Sequence, residues 1–246
     1  MIAGVFHPGS GVGNQLHRYV MTRVLAADKG LEFGMINTEN FKGASFMDID
    51  MGVPVHDLLQ EFEEKKIVNE QGADIRGYDW EGILNVKDFT LIDGEFQGEK
   101  YFEHHMDEIR EWLKVPRLNT PDDLCVIGFR GGEYRGVRDL YLPLVYWETA
   151  IYLMETKYPG IRFEVHTDDV ETAKNFFPDF DCVHDVALNW RSVRYAKHLI
   201  IANSSFYILP ALLGKAEEII APNFWAGYNV GYWKLPQNEY KRFQYI

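Results

Sequence analysis

Three groups of residues in this chain have types and spacings suited to holding an anion. The first is Gly9-Ser10-Gly11-Val12-Gly13-Asn14-Gln15, which follows the apolar run Ile2 to His7 and precedes Leu16, Tyr19, Val20, Val24 and Ala27 at helical spacing. Glycines in such a turn let backbone N–H groups approach a ligand, and the helix N-terminus behind them favours negative charge. The second is Arg130-Gly131-Gly132-Glu133-Tyr134-Arg135, after the apolar run Leu124–Phe129. An arginine beside glycines offers a fixed cationic fork for phosphate. The third is the pair Thr167-Asp168-Asp169 and Asn203-Ser204-Ser205-Phe206, each at the end of an apolar run. Serines that open a helix can donate to phosphate oxygens. A carboxylate can accept from the ring N–H and amino group of guanine. Together these groups suit a sugar nucleotide.

Each has a plainer reading. The glycines can serve a tight turn, Asp168, Asp169, Asn203 or Ser204 can cap a helix, and Arg130 and Arg135 can be solvated loop charges. A dinucleotide site at the first turn would want an acidic residue at the tip of the second strand. Leu31–Ile36 instead ends in Asn37-Thr38, which lowers that reading without removing it.

Stepping along the chain, Gly30 sits where a helix C-cap belongs, and Asp57–Glu64 reads as a short helix. Phe89–Gly94 reads as extended. Phe102, Met106, Ile109 and Leu113 recur at helical spacing until Pro116 stops them. The polar segment Asn119–Asp123 marks a domain boundary, giving halves 1–118 and 119–246. Beyond it, strands at 124–129, 161–166, 182–184, 198–202 and 218–221 alternate with helices at 144–157, 170–177, 190–197 and 206–213. That alternation implies a parallel sheet covered on both faces, with ligands beyond the carboxyl ends of its strands. The chain carries no internal repeat.

The chain has 246 residues, 46% of them hydrophobic, and a net charge of −12. It can fill a core, and its acidity argues against nucleic acid as the main partner. No run approaches the length of a membrane-spanning helix, and no signal peptide is visible. Cys125 and Cys182 lie in apolar stretches and read as buried free thiols in a reducing, cytoplasmic compartment. His104-His105 are adjacent, so on a helix they point about 100° apart and read as a surface feature. The nearest match to a diphosphate-metal motif, Asp48-Ile49-Asp50, falls in the irregular part of the first half. No metal or other cofactor is therefore expected.

The ordered set of motifs resembles the α1,2-fucosyltransferase family and, more distantly, other GDP-fucose-dependent transferases of GT-B fold. That family opens with a glycine-rich turn ending Gly-Asn-Gln, here Gly13-Asn14-Gln15, with an aromatic at Tyr19. Its mid-chain segment matches Gly94–Phe102. Its His-x-Arg-Arg-Gly-Asp-Tyr signature falls on Gly128–Tyr134, and its Phe-x-Ser-Asp-Asp element on Glu164–Asp169. Its Ile-Ile-Ala-Asn-Ser-Thr-Phe element falls on Ile200–Phe206, and its Ile-Ile-x-Pro-x-x-Trp element on Ile219–Trp225. The resemblance implies an α/β, GT-B-like fold: two Rossmann-like halves with parallel sheets facing a cleft, the first on the acceptor side and the second holding the donor. It implies an inverting transfer of fucose, or a related hexose, from a GDP-sugar to a glycan hydroxyl. In that scheme Arg130 holds the diphosphate, Asp168 reads the guanine, Ser204 and Ser205 touch phosphates, and Asn14 lies near the reacting sugar. Gly11, Gly13, Asn203 and Phe206 complete the donor site, and such enzymes usually use no metal. The general base is left among Glu133, His7 and His17. This chain departs from the signature at Gly128 for histidine, Gly131 for arginine and Glu133 for aspartate, and it has Tyr207-Ile208-Leu209-Pro210 where a tryptophan pair is usual. A nucleotide-binding protein without transferase activity, either a dinucleotide enzyme or a degenerate relative, is the alternative. Acceptor, linkage and oligomeric state are left open.

Overall fold

A computed structural model describes residues 1–56, 60–68, 74–76, 79–223 and 240–246. The chain divides into two compact units, Met1–Lys114 with Leu235–Tyr240, and Val115–Lys234 with Lys241–Ile246. The expected boundary lay between 118 and 119.

The first unit is built on β1 (Ile2–Val5), all four residues of which are buried, as a central parallel strand requires. It feeds α1 (Val12–Lys29), which ends where Gly30 takes the left-handed conformation (φ 63) and returns its N–H to Ala26 and Ala27. β2 (Phe33–Ile36), β3 (Gln60–Glu63) and, after the antiparallel pair β4 (Lys66–Val68) and β5 (Asp74–Arg76), β6 (Thr90–Asp93) complete the strands. Two short helices, α2 (Trp80–Asn85) and α3 (Met106–Trp112), flank β6 in sequence. The sheet order is β2-β1-β6-β3, all parallel. The helix expected over 57–64 is not formed at 60–63, where β3 pairs residue by residue with β6; 57–59 lie outside the described residues. Glutamates and glutamine favour a helix only weakly, and edge pairing overrides that preference. The exposed charges of Glu61 and Glu63 suit an edge strand.

The second unit alternates strand and helix as far as β11: β7 (Leu124–Phe129), α4 (Leu144–Lys157), β8 (Arg162–Thr167), α5 (Val170–Phe176), β9 (Asp181–Val183), α6 (Val186–Tyr195), β10 (His198–Ile201), α7 (Ser205–Leu213) and β11 (Glu218–Ala221), with β12 (Gln244–Tyr245) the next described element. α6 begins before the expected Trp190 because Asp185 caps it, accepting from Leu188 N at 2.7 Å. The order β12-β11-β10-β7-β8-β9, all parallel, is the doubly wound Rossmann order. From β7 the chain winds outward through β8 and β9, then crosses back to β10, so the switch point lies between β7 and β10. Phe129 packs against Trp147 (5.3 Å between ring centroids), Phe176 and Phe177 beneath it. Both units are thus α/β with parallel sheets. Cys125 is buried and unpaired in β7, while Cys182 in β9 is partly exposed, unlike its expected burial. Among the described residues no helix is long and apolar enough to cross a membrane.

Candidate functional site

In the second unit the switch point is where the sequence concentrates its charged motif. Gly128 and Ile201 are register partners on β7 and β10, so the segments after them leave the sheet side by side. Arg130 emerges from β7 and is gripped on both arms. One amino group meets Asp168 Oδ2 at 2.6 Å, and the other donates to Glu133 Oε1 at 2.7 Å. The guanidinium also lies over the Tyr134 ring, 5.5 Å from its centroid. Burial works against the Arg130 charge, and Asp168 and then Glu133 more than offset it. Asp168 also takes the Gly131 N–H on Oδ1 at 3.0 Å. Gly132 (φ 20) lets the chain pass so near that a Cβ there would lie 2.2 Å from Asp168 Oδ2. Here the glycines serve the wrapping of the loop around a carboxylate.

The two aspartates at the end of β8 have separate jobs. Asp169 is the cap of α5, accepting from Thr172 N at 3.0 Å and Thr172 Oγ1 at 2.6 Å, and these bonds hold its carboxyl below the usual range. Asp168 is the arginine's partner. Across the switch point, Asn203 Nδ2 donates to Leu140 O at 3.0 Å, and Asn203 O accepts from Tyr134 OH at 3.3 Å. Ser204 occupies the cap position of α7 and is buried without a side-chain capping bond; Ser205 and Phe206 are partly exposed. Arg135 stands on the rim, with its side chain 63% exposed and bonded to Thr172 Oγ1 at 3.3 Å.

Sequence reasoning treated Gly128 and Tyr207 as two separate departures from the fucosyltransferase pattern. They are one feature. A Cβ at Gly128 would lie 2.8 Å from the Tyr207 ring, whose hydroxyl is shared between Phe129 O and His166 O at 2.9 Å each. The tyrosine occupies the room a histidine at 128 would need. In the sequence the two positions lie 79 residues apart (207 − 128), and no local signal joins them.

The first unit has its own switch point, between β1 and β6. His7, after β1, donates from Nε2 to Asp93 Oδ2 at 2.9 Å, at the end of β6. Asp93 Oδ1 faces Arg18 Nε at 3.1 Å. Arg18, from α1, is buried and spans the carbonyls of Gly94 (3.0 Å) and Val5 (3.4 Å). Asn14 Oδ1 accepts from Gln97 Nε2 at 3.2 Å, and Gln97 also reaches Glu95 Oε2 at 3.3 Å. A Cβ at Gly9 or Gly11 would meet nothing within 4 Å, which leaves room beside the first turn of α1. Gly13 lies within that turn, its carbonyl accepting from His17 Nδ1 at 2.8 Å.

The loop that carries Glu95 and Gln97 is held from below. Phe96 is buried at φ 45, a strained conformation for a bulky residue. Glu64 fixes it by accepting from the backbone N–H of Glu95 (2.8 Å) and Phe96 (3.0 Å) and from Tyr101 OH (2.8 Å). Burial pushes the Glu64 carboxyl up, and these donors pull it part of the way back. Of the three expected bases, His17 is buried in α1 against Phe102, with Nε2 making no hydrogen bond. Burial lowers its pKa to about 4, so it is a neutral core group that no acceptor can reach. His7 and Glu133 remain.

A hollow of about 640 Å³ in the second unit is lined by Asn119, Pro121, Ile161, Phe180 and neighbours. It opens at the amino ends of the strands, the wrong end for a ligand of this sheet type.

No family model and no curated protein sequence matches the chain. Among solved structures it is similar to E. coli heptosyltransferase WaaC with ADP, at 15% identity and a TM-score of 0.47, covering 91% of this chain and 87% of that one. It is also similar to E. coli heptosyltransferase WaaC with ADP-2-deoxy-2-fluoro heptose, at 14% identity and a TM-score of 0.46, covering 100% and 92%. Likenesses at this level carry no weight for the chemistry, which rests on the residues above.

Proposed function

We propose that this chain is an inverting glycosyltransferase that moves fucose or a related hexose from a GDP-sugar to a glycan hydroxyl. The observation that carries the reading is a coincidence of position. The motifs resembling the fucosyltransferase blocks lie at or just beyond the carboxyl ends of strands in two separate parallel sheets, those after β1, β6, β7 and β10 flanking the switch points; Phe224 and Trp225 of the last block lie outside the described residues. Arg130 meets the diphosphate, with Ser204, Ser205, Asn203 and Phe206 opposite it on the neighbouring strand end. Glu133 is the exposed partner, its side chain 74% accessible, and yields to the phosphate; Asp168 stays and aims the guanidinium. Guanine recognition by Asp168 then uses the lone pairs left over from Gly131 and Arg130. In the first unit, Gly11, Gly13 and Asn14 line the sugar side. His7 is the first unit's candidate base: Asp93 holds Nε2–H, leaving Nδ1 to take a proton. The acceptor oxygen attacks the anomeric carbon, its proton passes to a general base, and the bond to the diphosphate breaks. Arg130 stabilises the charge that develops on GDP, a contribution that grows in the transition state. No metal is required in this scheme. The two unpaired cysteines fit a reducing, cytoplasmic setting.

A second reading is supported by the tight grip of Asp168 and Glu133 on Arg130 and by the Rossmann order of the second sheet. It makes the chain a nucleotide-binding protein without transferase activity. Calorimetry with GDP, UDP, NAD and NADP, followed by GDP release from GDP-fucose and GDP-mannose over a glycan panel, separates the two. GDP binding with sugar transfer that survives chelator supports the first. Binding of NAD or NADP in preference to GDP overturns it.

A further inference from the structure

We propose that Asp28, His104 and His105 form a binding site for a zinc-class divalent cation that staples the end of α1 to the turn before α3. Asp28 is one residue from the end of α1, and His104 and His105 lie in the turn that leads into α3. His105 Nε2 is 2.8 Å from Asp28 Oδ1, and His104 Nε2 is 3.0 Å from Asp28 Oδ2. One ligand atom from each residue lies within 4.8 Å of the other two. Ligand atoms around a tetrahedral zinc ion, at about 2.0–2.2 Å from the metal, sit about 3.3–3.5 Å apart. The three groups therefore need small adjustments only. Two imidazole nitrogens and a carboxylate oxygen select zinc, cobalt or nickel over magnesium or calcium.

A second observation points the same way. The far nitrogen of His105, Nδ1, is buried without a hydrogen bond, and Glu108 Oε1 lies 3.4 Å from it. A metal-bound histidine characteristically turns its other N–H to a carboxylate, which fixes tautomer and ring. The ring is also stacked on Trp112 (27° between planes), and Arg23 covers the other aromatic at 4.2 Å. One ring of the cluster is thus held in place, while His104, with its side chain 42% exposed, leaves the outer face open for water as fourth ligand.

The site is not part of the proposed reaction. α1 runs from Val12 to Lys29, so Asp28 lies about 24 Å along the helix axis from the glycine-rich turn. The ion would instead join chain segments 76 residues apart and stabilise the first unit by mass action.

The test uses the full chain without a histidine tag, stripped with chelator and titrated with Zn²⁺ by calorimetry, with Co²⁺ absorption reporting tetrahedral geometry. One ion per chain is expected. At a hundredfold excess over Kd the melting temperature should rise by about 5–10 °C. Asp28→Asn and His104→Ala should each lower Zn²⁺ affinity at least tenfold, and Glu108→Gln should lower it by about tenfold. His184→Ala, in the second unit, should leave it unchanged. His104 is exposed and its loss leaves the fold intact, so it carries the test even where His105→Ala unfolds through lost stacking on Trp112. Failure of the stripped parent to bind Zn²⁺, or undiminished binding by the Asp28→Asn, His104→Ala double variant, overturns the proposal.

Discussion

The two switch points carry the same pair, an arginine against an aspartate, put to opposite uses. In the first unit Arg18 is the fixed member: its side chain is 4% exposed and it is bonded to two backbone carbonyls as well as Asp93. The group left facing outward is His7, 43% exposed. In the second unit the arginine itself faces outward, 25% exposed, and the carboxylate of Asp168 is the anchor, tied to the Gly131 backbone. In the first unit burial makes the arginine the scaffold; in the second, where Arg130 and Asp168 are about equally exposed (25% and 27%), the bond from the Gly131 backbone makes the carboxylate the anchor. The first unit thereby leaves an imidazole outward and the second a guanidinium.

Removing the scaffold arginine should have the largest effect. Arg18→Met leaves two carbonyls without their donor and Asp93 with only His7, and should destabilise the first unit by about 3–4 kcal/mol, the lower part of the range for a broken buried pair. Asp93 keeps one face to water, which limits the loss. Arg130→Met should change stability by about 1 kcal/mol or less. Urea melts of both variants check the contrast, and equal losses would remove the distinction between them.

Acid should separate the units next. His17 resists protonation until about pH 4, whereas the unfolded chain takes the proton near its ordinary 6.5. The unfolded state therefore binds more protons in that window, and stability falls as pH drops from 6.5 to 4. The full effect is about 3 kcal/mol. Glu64, held above its usual range by burial, gains its proton early and opposes this at the acid end. Hydrogen exchange in α1 should steepen over that window in the parent and flatten in His17→Gln; parallel profiles would refute the assignment.

At the outward arginine, Arg130→Ala should cost about 1.5–3 kcal/mol of GDP binding, ten- to a hundredfold. Arg130→Lys should be impaired as well, since the two-armed geometry is lost. Arg135→Ala should bind as the parent does. If Arg135→Ala is the variant that fails, the phosphate has been assigned to the wrong arginine. Gly128→Ala should destabilise the second unit by about 1–3 kcal/mol through overpacking on Tyr207, with part of the loss restored by Tyr207→Leu. The smallest effect is at Glu133. Removing this exposed competitor in Glu133→Gln should raise GDP affinity about two- to fivefold, and a fall instead would give Glu133 a direct part in binding.

Much of the second unit was legible because strands and helices alternate there with clean apolar runs, and each run is long enough to fix its own identity. β3 was not, because its residues Gln60–Glu63 acquire strand structure only by pairing with β6, about thirty residues on. The strand-end motifs were visible as residue types; their division of labour was not. Nothing local tells Asp168, which grips an arginine, from Asp169, which caps α5. His17 read as a candidate base since helical position alone does not reveal burial on every side. His104 is exposed, as its adjacency to His105 suggested; the pairing of both histidines with Asp28 was not legible, because Asp28 lies far back in the chain.

The last segment of the first unit has a consequence for how the molecule is made. Tyr240 is buried there, and its hydroxyl donates to Gln97 O at 2.9 Å, on the loop whose side chains reach Asn14. A ribosome finishing Lys114 has released the bulk of that unit, yet Tyr240 emerges only after the strands β7 to β11 have been synthesised. At 5–20 residues per second the interval is roughly 6–25 s. The first unit is therefore closed only after most of the second has been made, and until Tyr240 is translated the Gln97 carbonyl waits without its tyrosine.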